Sequence, residues 1–208
     1  MATEREKMLR GELYVASDPE LVAARERARR LWRSYNALDP AAGAVRREVL
    51  EQLLGAVGAG AVIEPPFFCD YGTQITLGVE VFVNFNCVFL DCSTIAIGPQ
   101  TQLGPAVQLY TAAHPLDPSA RAAGSEFARP IAIGSRVWIG GGTVVLPGVA
   151  IGDDTVVGAG SVVTRSLPPG VVAVGNPCRV IRPVNRSHGQ SNDKSAPLGT
   201  PPELGTTA

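Results

Sequence analysis

Every sixth residue from position 133 is a β-branched aliphatic: Ile133, Ile139, Val145, Ile151, Val157 and Val163. Glycine follows four of them, at Gly134, Gly140, Gly152 and Gly158. A small or β-branched residue stands two places before each from Val137 on: Val137, Thr143, Val149, Thr155 and Ser161. The same spacing runs through Leu77, Val83 and Phe89 and through Ile97, Leu103 and Leu109, with a slip of two residues near "DCSTIAIG". A period of six is neither helical nor a plain strand alternation. It is the period of a hexapeptide β-helix, in which each hexad makes one short strand and one corner. The aliphatic residue and the residue two before it face inward, because strand side chains alternate between faces. Glycine after the aliphatic is expected to supply corner angles closed to residues with a Cβ. Three hexads close a triangular coil, so residues eighteen apart are expected to stack at about the 4.8 Å strand spacing. Cys69 and Cys87 are eighteen apart and are expected to stack in adjacent coils as free thiols.

The alternation also sends Trp138, Val144, Ala150, Val156 and Val162 outward, with Trp138 above Val156 and Val144 above Val162. An apolar row aimed at water calls for a partner or ligand. A triangular prism presents such rows to neighbours in a three-fold assembly, so a homotrimer is expected.

Outside the repeat the patterns change. Residues 1–58 read as a helical segment. "ELVAARERARRLWRSYNAL" puts Leu21, Ala24, Ala28, Leu31, Trp32 and Tyr35 on one face, with Asp18 as cap and Pro19 in the first turn. A second "DP" at Asp39 and Pro40 is expected to begin the next helix. This segment would cover the open edge of the first coil. Residues 59–183 form the β-helix domain, interrupted by a loop over 110–130. Residues 184–208 are polar, rich in Gly and Pro and without period, and are expected to be a disordered tail containing His188.

Composition narrows the function classes. A formal charge of -1 gives no basic field for nucleic acid or membrane surface. The charged start "MATEREKMLRGEL" lacks a signal peptide's apolar stretch, and no apolar run approaches the roughly 20 residues of a membrane span, so a soluble cytoplasmic protein is expected. The four cysteines form no CxxC pair, which points to free thiols and no metal.

"TAAHPLDP" holds one of two histidines and lies in the gap of the repeat. Together with "GELYVASDPEL", "EPPFFCDYG", "NFNCVFLD", "VWIGGGTVVLPGVAIG", "GAGSVVTRSLPPG" and "GNPCRVIR", it makes residues 4–185 resemble the galactoside and maltose O-acetyltransferase group of hexapeptide-repeat acyltransferases, with wording that leans toward the maltose members. The resemblance implies a left-handed β-helix, a trimer with sites at subunit contacts, and acetyl transfer from acetyl-CoA to a sugar hydroxyl. It implies that the loop holds His114 over a neighbouring face as general base. A sugar hydroxyl is a poor nucleophile, a positioned base contributes roughly 10²–10⁴-fold, and imidazole ordinarily titrates near about 6.5. Direct attack builds an oxyanion, for which amides around Gly140 and Gly141 are candidate donors.

By the same resemblance, Asn84, Asp70 and Asp18 match acceptor-side positions. Asn84 can also be read as a corner residue tolerating a left-handed backbone, and Asp18 as a helix cap. The second acceptor carboxylate falls at Asp91 in some members and one residue later in others, where this chain has Cys92; if the later position is required, the alternation turns Asp91 away. Trp138, Gly141, Ala159, Thr164, Arg165, Arg179 and Arg182 match the side that binds acetyl-CoA, the arginines meeting phosphate. Many relatives carry serine where Gly141 stands. Other readings stay open: another acceptor such as serine, an antibiotic, or an amino or nodulation-factor sugar; a zinc hydrolyase of the γ-carbonic-anhydrase type, which needs more histidines; and a non-catalytic scaffold.

Overall fold

Repeating six-residue steps become three faces of one prism. The computed structural model describes residues 2–185. Its short parallel strands form a left-handed parallel β-helix. One face stacks five strands from Ala56–Val57 to Ala150–Ile151, and another stacks five from Phe67–Cys69 to Val162–Val163. The third runs from Val62–Ile63 to Val171–Val174 and ends in the antiparallel strand Arg179–Pro183. Val184 still donates to the Gly170 carbonyl. The rest of the expected tail, from 186 and including His188, lies outside the described residues.

The inward pattern holds. Ile133, Ile139, Val145, Ile151, Val157 and Val163 are buried, as are Val137, Thr143, Val149, Thr155 and Ser161. Fully burying one such aliphatic contributes about 1.5–3 kcal/mol. The inward hydroxyls stay satisfied by bonding corner carbonyls: Thr143 to Gly140, Thr155 to Pro168 and Ser161 to Gly158.

Two expectations about the coil are corrected. Eighteen residues per turn describes the later coils, where Trp138 pairs with Val156 and Val144 with Val162. In the earlier coils Ile75 pairs with Ile95, Phe82 with Gln102 and Val88 with Gln108, twenty residues on. The two added residues per turn lie at 70–74 and 91–94, where the chain passes from one face to the next. Cys87 therefore stacks on Phe67 and Cys69 on Phe89, not on each other. The wider turn accommodates Phe67 and Phe89, whose rings meet edge to face at 5.1 Å. All four cysteines are free and buried.

The second correction concerns glycine. Gly134, Gly140, Gly152 and Gly158 do not have positive φ. They are glycine because the next coil comes too close: a Cβ on Gly140 would sit 2.4 Å from the Ala159 nitrogen, and one on Gly152 would sit 2.4 Å from the Pro169 nitrogen. Left-handed corners are carried elsewhere, by Gly60, Glu80, Gln100, Arg136 and Asp154 along one ridge and by Asn86, Ala106, Gly142 and Gly160 along another.

Three helices close the lower end: α1 (Glu4–Arg10), α2 (Pro19–Asn36) and α3 (Gly43–Leu53). Asp18 caps α2, accepting from the Glu20 amide at 2.9 Å, with Pro19 in the first turn. Asp39 and Pro40 do not start α3. Asp39 closes a turn on the Ala41 amide, and the helix begins at Gly43 without a side-chain cap. The helical cap satisfies the first coil's edge. Arg47 donates to the carbonyls of Val57 and Gly58, Arg46 and Tyr35 to that of Ile63, and Asn36 pairs with both backbone groups of Phe67. An exposed sheet edge would otherwise template aggregation.

Candidate active site

His114 leaves the prism on an arm with structure of its own. After Tyr110 the chain forms strand Ala112–Ala113, helix α4 (Pro118–Ala122) and the return strand Ser125–Ala128, before rejoining the coil at Ile131. Asp117 caps α4 through the Ala120 amide at 2.7 Å. The return strand pairs antiparallel with Ala112–Ala113 on one side and with Tyr14–Val15 on the other. The arm is thus stitched to the N-terminal segment, which fixes where the imidazole can point.

Beneath the arm lies an open cleft of ≈ 330 Å³, lined by Ala16, Arg25, Arg29, Asp70, Tyr71, Leu90, Cys92, Ala112, His114 and Glu126. That size suits a small-molecule site, for which about 300–1,000 Å³ is usual. Asp70 and Cys92 reach it from the two-residue extensions of successive coils. Burial is the main influence raising the Asp70 carboxyl above the ordinary range; the Cys92 thiol, 3.6 Å from Oδ2, and the charge of Arg25 oppose it. Burial likewise pushes the Cys92 thiol far up, with the Asp70 charge adding to it, so the sulfur keeps its proton and can donate. Arg25 is held in place, Nη1 donating to Tyr71 Oη at 2.8 Å and Nη2 to the Ala16 carbonyl at 2.7 Å.

Asp91 is not in this cleft. It is wholly buried in the coil wall, Oδ1 accepting from the amides of Asp70 and Tyr71 and Oδ2 from that of Gln74. Its carboxylate closes the extra turn of the coil below, and the neighbouring Cys92 takes the cleft position. The Asp18 carboxylate caps α2 through the Glu20 amide. Asn84 stands on another corner, where Oδ1 accepts from the Phe85 amide at 2.8 Å. The left-handed residue there is Asn86 rather than Asn84.

Coil order explains the separation. Asn84, Gly141 and Ala159 lie on one corner column, with the corner at Gly104, Pro105 and Ala106 between Asn84 and Gly141 and the Gly160 amide donating to the Gly141 carbonyl. Asp70, Cys92, the His114 arm, Thr164 and Arg165 occupy another. Within one chain, the face stacked from Phe67–Cys69 to Val162–Val163 lies between the two columns. Gly142 and Gly160 face open space, so the glycine-rich levels of this column offer nearly bare backbone beside Trp138, which is 57% exposed. The Gly140 amide donates to the Val157 carbonyl, which leaves Gly141 as the candidate oxyanion donor. Arg179 and Arg182 are exposed on the terminal strand of Trp138's sheet, where Arg182 pairs with Val172 and Val172 with Val156. Val144, Val156 and Val162 are half-buried, shielded partly by their own coils.

Arg25, Arg29 and Glu126 were not legible as site residues. They sit on an amphipathic helix and on the return strand of a gap, where no period marks them. Among the described residues, no group of three His, Cys, Asp or Glu side chains is placed to hold a metal ion. No helix among them is long and apolar enough to cross a membrane.

Comparison with known proteins agrees with this architecture. Residues 7–58 match the maltose acetyltransferase hexapeptide capping motif, and residues 130–165 match the bacterial transferase hexapeptide with six repeats. Nodulation protein L of Rhizobium meliloti (strain 1021) is 52% identical over 178 residues, covering 86% of this chain and 97% of its own. A maltose O-acetyltransferase from Clostridium difficile 630 superposes with a TM-score of 0.87 at 47% identity, covering 88% of this chain and 98% of its own. A galactoside acetyltransferase in complex with coenzyme A gives 0.86 at 37% identity, with 89% and 92% covered.

Proposed function

The chain belongs to the maltose and galactoside acetyltransferase family of hexapeptide-repeat proteins, and from that membership we propose that it moves the acetyl group of acetyl-CoA to a hydroxyl of a sugar. The observation that carries this reading is the cleft itself. His114 lines it beside two carboxylates and two arginines, a set suited to binding a polyhydroxylated acceptor.

In this reading the acceptor hydroxyl lies against His114, which takes its proton as the oxygen attacks the thioester carbonyl. The carbonyl oxygen becomes an oxyanion stabilised by the Gly141 amide. Collapse breaks the carbon–sulfur bond, and His114 returns the proton to the departing CoA sulfur. The galactoside acetyltransferase complex with coenzyme A supports acetyl-CoA as the donor, and in this reading its path runs along Trp138, Gly141 and Ala159. A shelf of small residues beside Trp138 fits a pantetheine arm, whose amides need backbone partners. In this reading Thr164, Arg165, Arg179 and Arg182 take the nucleotide end and its phosphates.

The two corner columns explain why a trimer belongs to this proposal. Asn84, Gly141 and Ala159 lie on one column and His114, Asp70 and Cys92 on another, so a site that uses both must lie between protomers. Asn84 of one chain then meets the His114 cleft of the next.

His114→Ala tests the mechanism: turnover should fall by roughly 10²-fold or more while CoA affinity stays nearly intact. A thiol-release assay over maltose, glucose, galactosides, amino sugars, serine and antibiotics tests the acceptor. Activity confined to serine or an antibiotic would overturn the sugar reading. Absence of calorimetric CoA binding at millimolar ligand would favour a scaffold instead.

A further inference from the structure

We propose that a second cleft, at the base of the arm, is a binding site for a phosphomonoester. It shares no lining residue with the acceptor cleft and does not depend on the sugar reading above.

Three elements far apart in sequence build it. Leu9, Arg10 and Gly11 end α1, Ser93 and Thr94 belong to a coil extension, and Ala128, Arg129 and Pro130 bring the arm back to the coil. The space between them is ≈ 360 Å³, within the range usual for small-molecule sites. Its walls are held in place. Gly11 closes α1 in a left-handed conformation, so near the return strand that a Cβ there would lie 3.0 Å from the Ala128 carbonyl oxygen. The Ser93 amide donates to Thr111 Oγ1 at 2.9 Å, and the Arg129 and Ile131 amides donate to the carbonyls of Thr111 and Thr94 at 2.9 Å.

The charge of the cleft is one-sided. Its lining holds two guanidinium groups and no carboxylate. Arg129 forms no ion pair among the described residues; its guanidinium lies 5.8 Å from the centre of the Phe127 ring. Arg10 meets Glu6 at 3.5 Å and Glu12 at 3.7 Å, but both pairs are exposed and therefore weak. The carbonyls of Lys7 and Met8 at the end of α1, which would repel an anion, are taken by the Glu12 and Gly11 amides.

Ser93 adds an independent sign of a ligand. The residue is only 6% exposed, yet its Oγ has no hydrogen-bond partner among the described residues. A hydroxyl so far withdrawn from water calls for a partner, and beside two guanidinium groups the partner of matching charge is an oxyanion. A phosphomonoester has three free oxygens, enough for both guanidinium groups and the hydroxyls of Ser93 and Thr94, where a carboxylate has two. The rest of the wall is Leu9, Ala128 and Pro130, so the organic part of the ester meets apolar surface.

The probe is phenyl phosphate, with inorganic phosphate and phenol as its separate halves. Each is titrated calorimetrically into the full chain with millimolar CoA present, which occupies the donor-side arginines of the proposed mechanism. Phenyl phosphate should bind at least about 5-fold tighter than inorganic phosphate, because the ring covers apolar wall, and phenol alone should not bind detectably. Arg129→Gln should weaken phenyl phosphate about 10-fold and Ser93→Ala about 3- to 10-fold, with thermal midpoints near that of wild type. Arg182→Gln, on the donor side, should leave the affinity unchanged. Should either cleft variant fold poorly, Thr94→Asp changes an exposed residue, brings a negative charge to the lining and should abolish binding. No binding to wild type at millimolar phenyl phosphate, or binding that survives Arg129→Gln and Ser93→Ala together, would overturn the site. Equal affinity for inorganic phosphate would overturn the ester as its ligand.

Discussion

Cys92 and Asp70 face each other across successive coil extensions, the thiol sulfur 3.6 Å from Oδ2. Because burial raises both groups, the thiol is the donor and the carboxylate the acceptor. Cys92→Ser preserves that polarity and should leave the thermal midpoint and turnover little changed. Cys92→Asp sets a second carboxylate against the first in a desolvated corner, and should destabilise by about 1–3 kcal/mol. Adding Asp70→Asn should recover most of that loss, since one of the two charges is gone. A double-mutant cycle from denaturant unfolding measures the coupling. Additive effects would show that the pair does not interact.

Asp91 makes stability depend on pH. Burial pushes its carboxyl up to about 7 from an ordinary 3.8, with the charge of Asp70 adding and the Tyr71 and Gln74 amides opposing. A raised pKa means that the folded state holds the proton more tightly than the unfolded chain. The contribution is therefore full below about pH 4 and lost as pH rises through about 7. In that window its slope approaches about 1.4 kcal/mol per pH unit. Asp91→Asn removes the titration but also one acceptor, because its Nδ2 cannot receive the Gln74 amide. Thermal melts from about pH 4.5 to about pH 8 should show a lower midpoint for the variant throughout, with a shallower fall toward high pH than wild type. Parallel curves would assign the slope to other groups.

The same two residues show what a sequence can and cannot reveal here. The inward aliphatics are legible because burial repeats every six residues and the repeat is printed in their type. The slip near "DCSTIAIG" is visible as a change of phase. Its counterpart at 70–74 is not, since Phe67 and Cys69 fit either register, and so Cys69 and Cys87 look eighteen apart and stacked when the coil rises by twenty. His114 stands out because it interrupts the period. Tyr14, Arg25 and Glu126 do not, because contacts between an N-terminal segment and the return strand of a loop leave no spacing to read. Which of Asp91 and Cys92 faces the cleft follows only from the local geometry of the added residues.

Two glycines separate the two reasons for having no side chain. Gly98 lacks a positive φ, but a Cβ there would lie 2.6 Å from the Gly134 carbonyl carbon of the next coil. Gly160 has φ 68 and open space around it. Gly98→Ala must push two coils apart, and should lose about 2–4 kcal/mol, comparable to other overpacked core changes. Gly160→Ala meets only the left-handed backbone cost of about 1–2 kcal/mol. Urea unfolding of the two variants should rank them in that order. The reverse order would mean that corner conformation, not coil spacing, selects glycine in this prism.

Assembly is tested on the face that carries Trp138. Val62, Phe82, Gln102, Trp138, Val156 and Val172 follow one another across its strands. Val62, Phe82 and Trp138 remain 40%, 36% and 57% exposed in the single chain, a large apolar row for a surface facing water. Val156 lies beside Trp138 in register, so Val156→Asp places a charge within that row without touching the inward core. An unpaired charge trapped at a contact costs about 2–5 kcal/mol, and a three-fold assembly incurs that cost at every contact. Sedimentation should then show the 21.7 kDa chain alone, whereas wild type is expected to sediment as three chains. Val156→Thr, of similar shape and neutral, should stay assembled. Under the proposed shared site, which joins Asn84 and Ala159 of one chain to His114 of the next, turnover should fall with the trimer. A folded, monodisperse and fully active monomer would show that one chain suffices for the site.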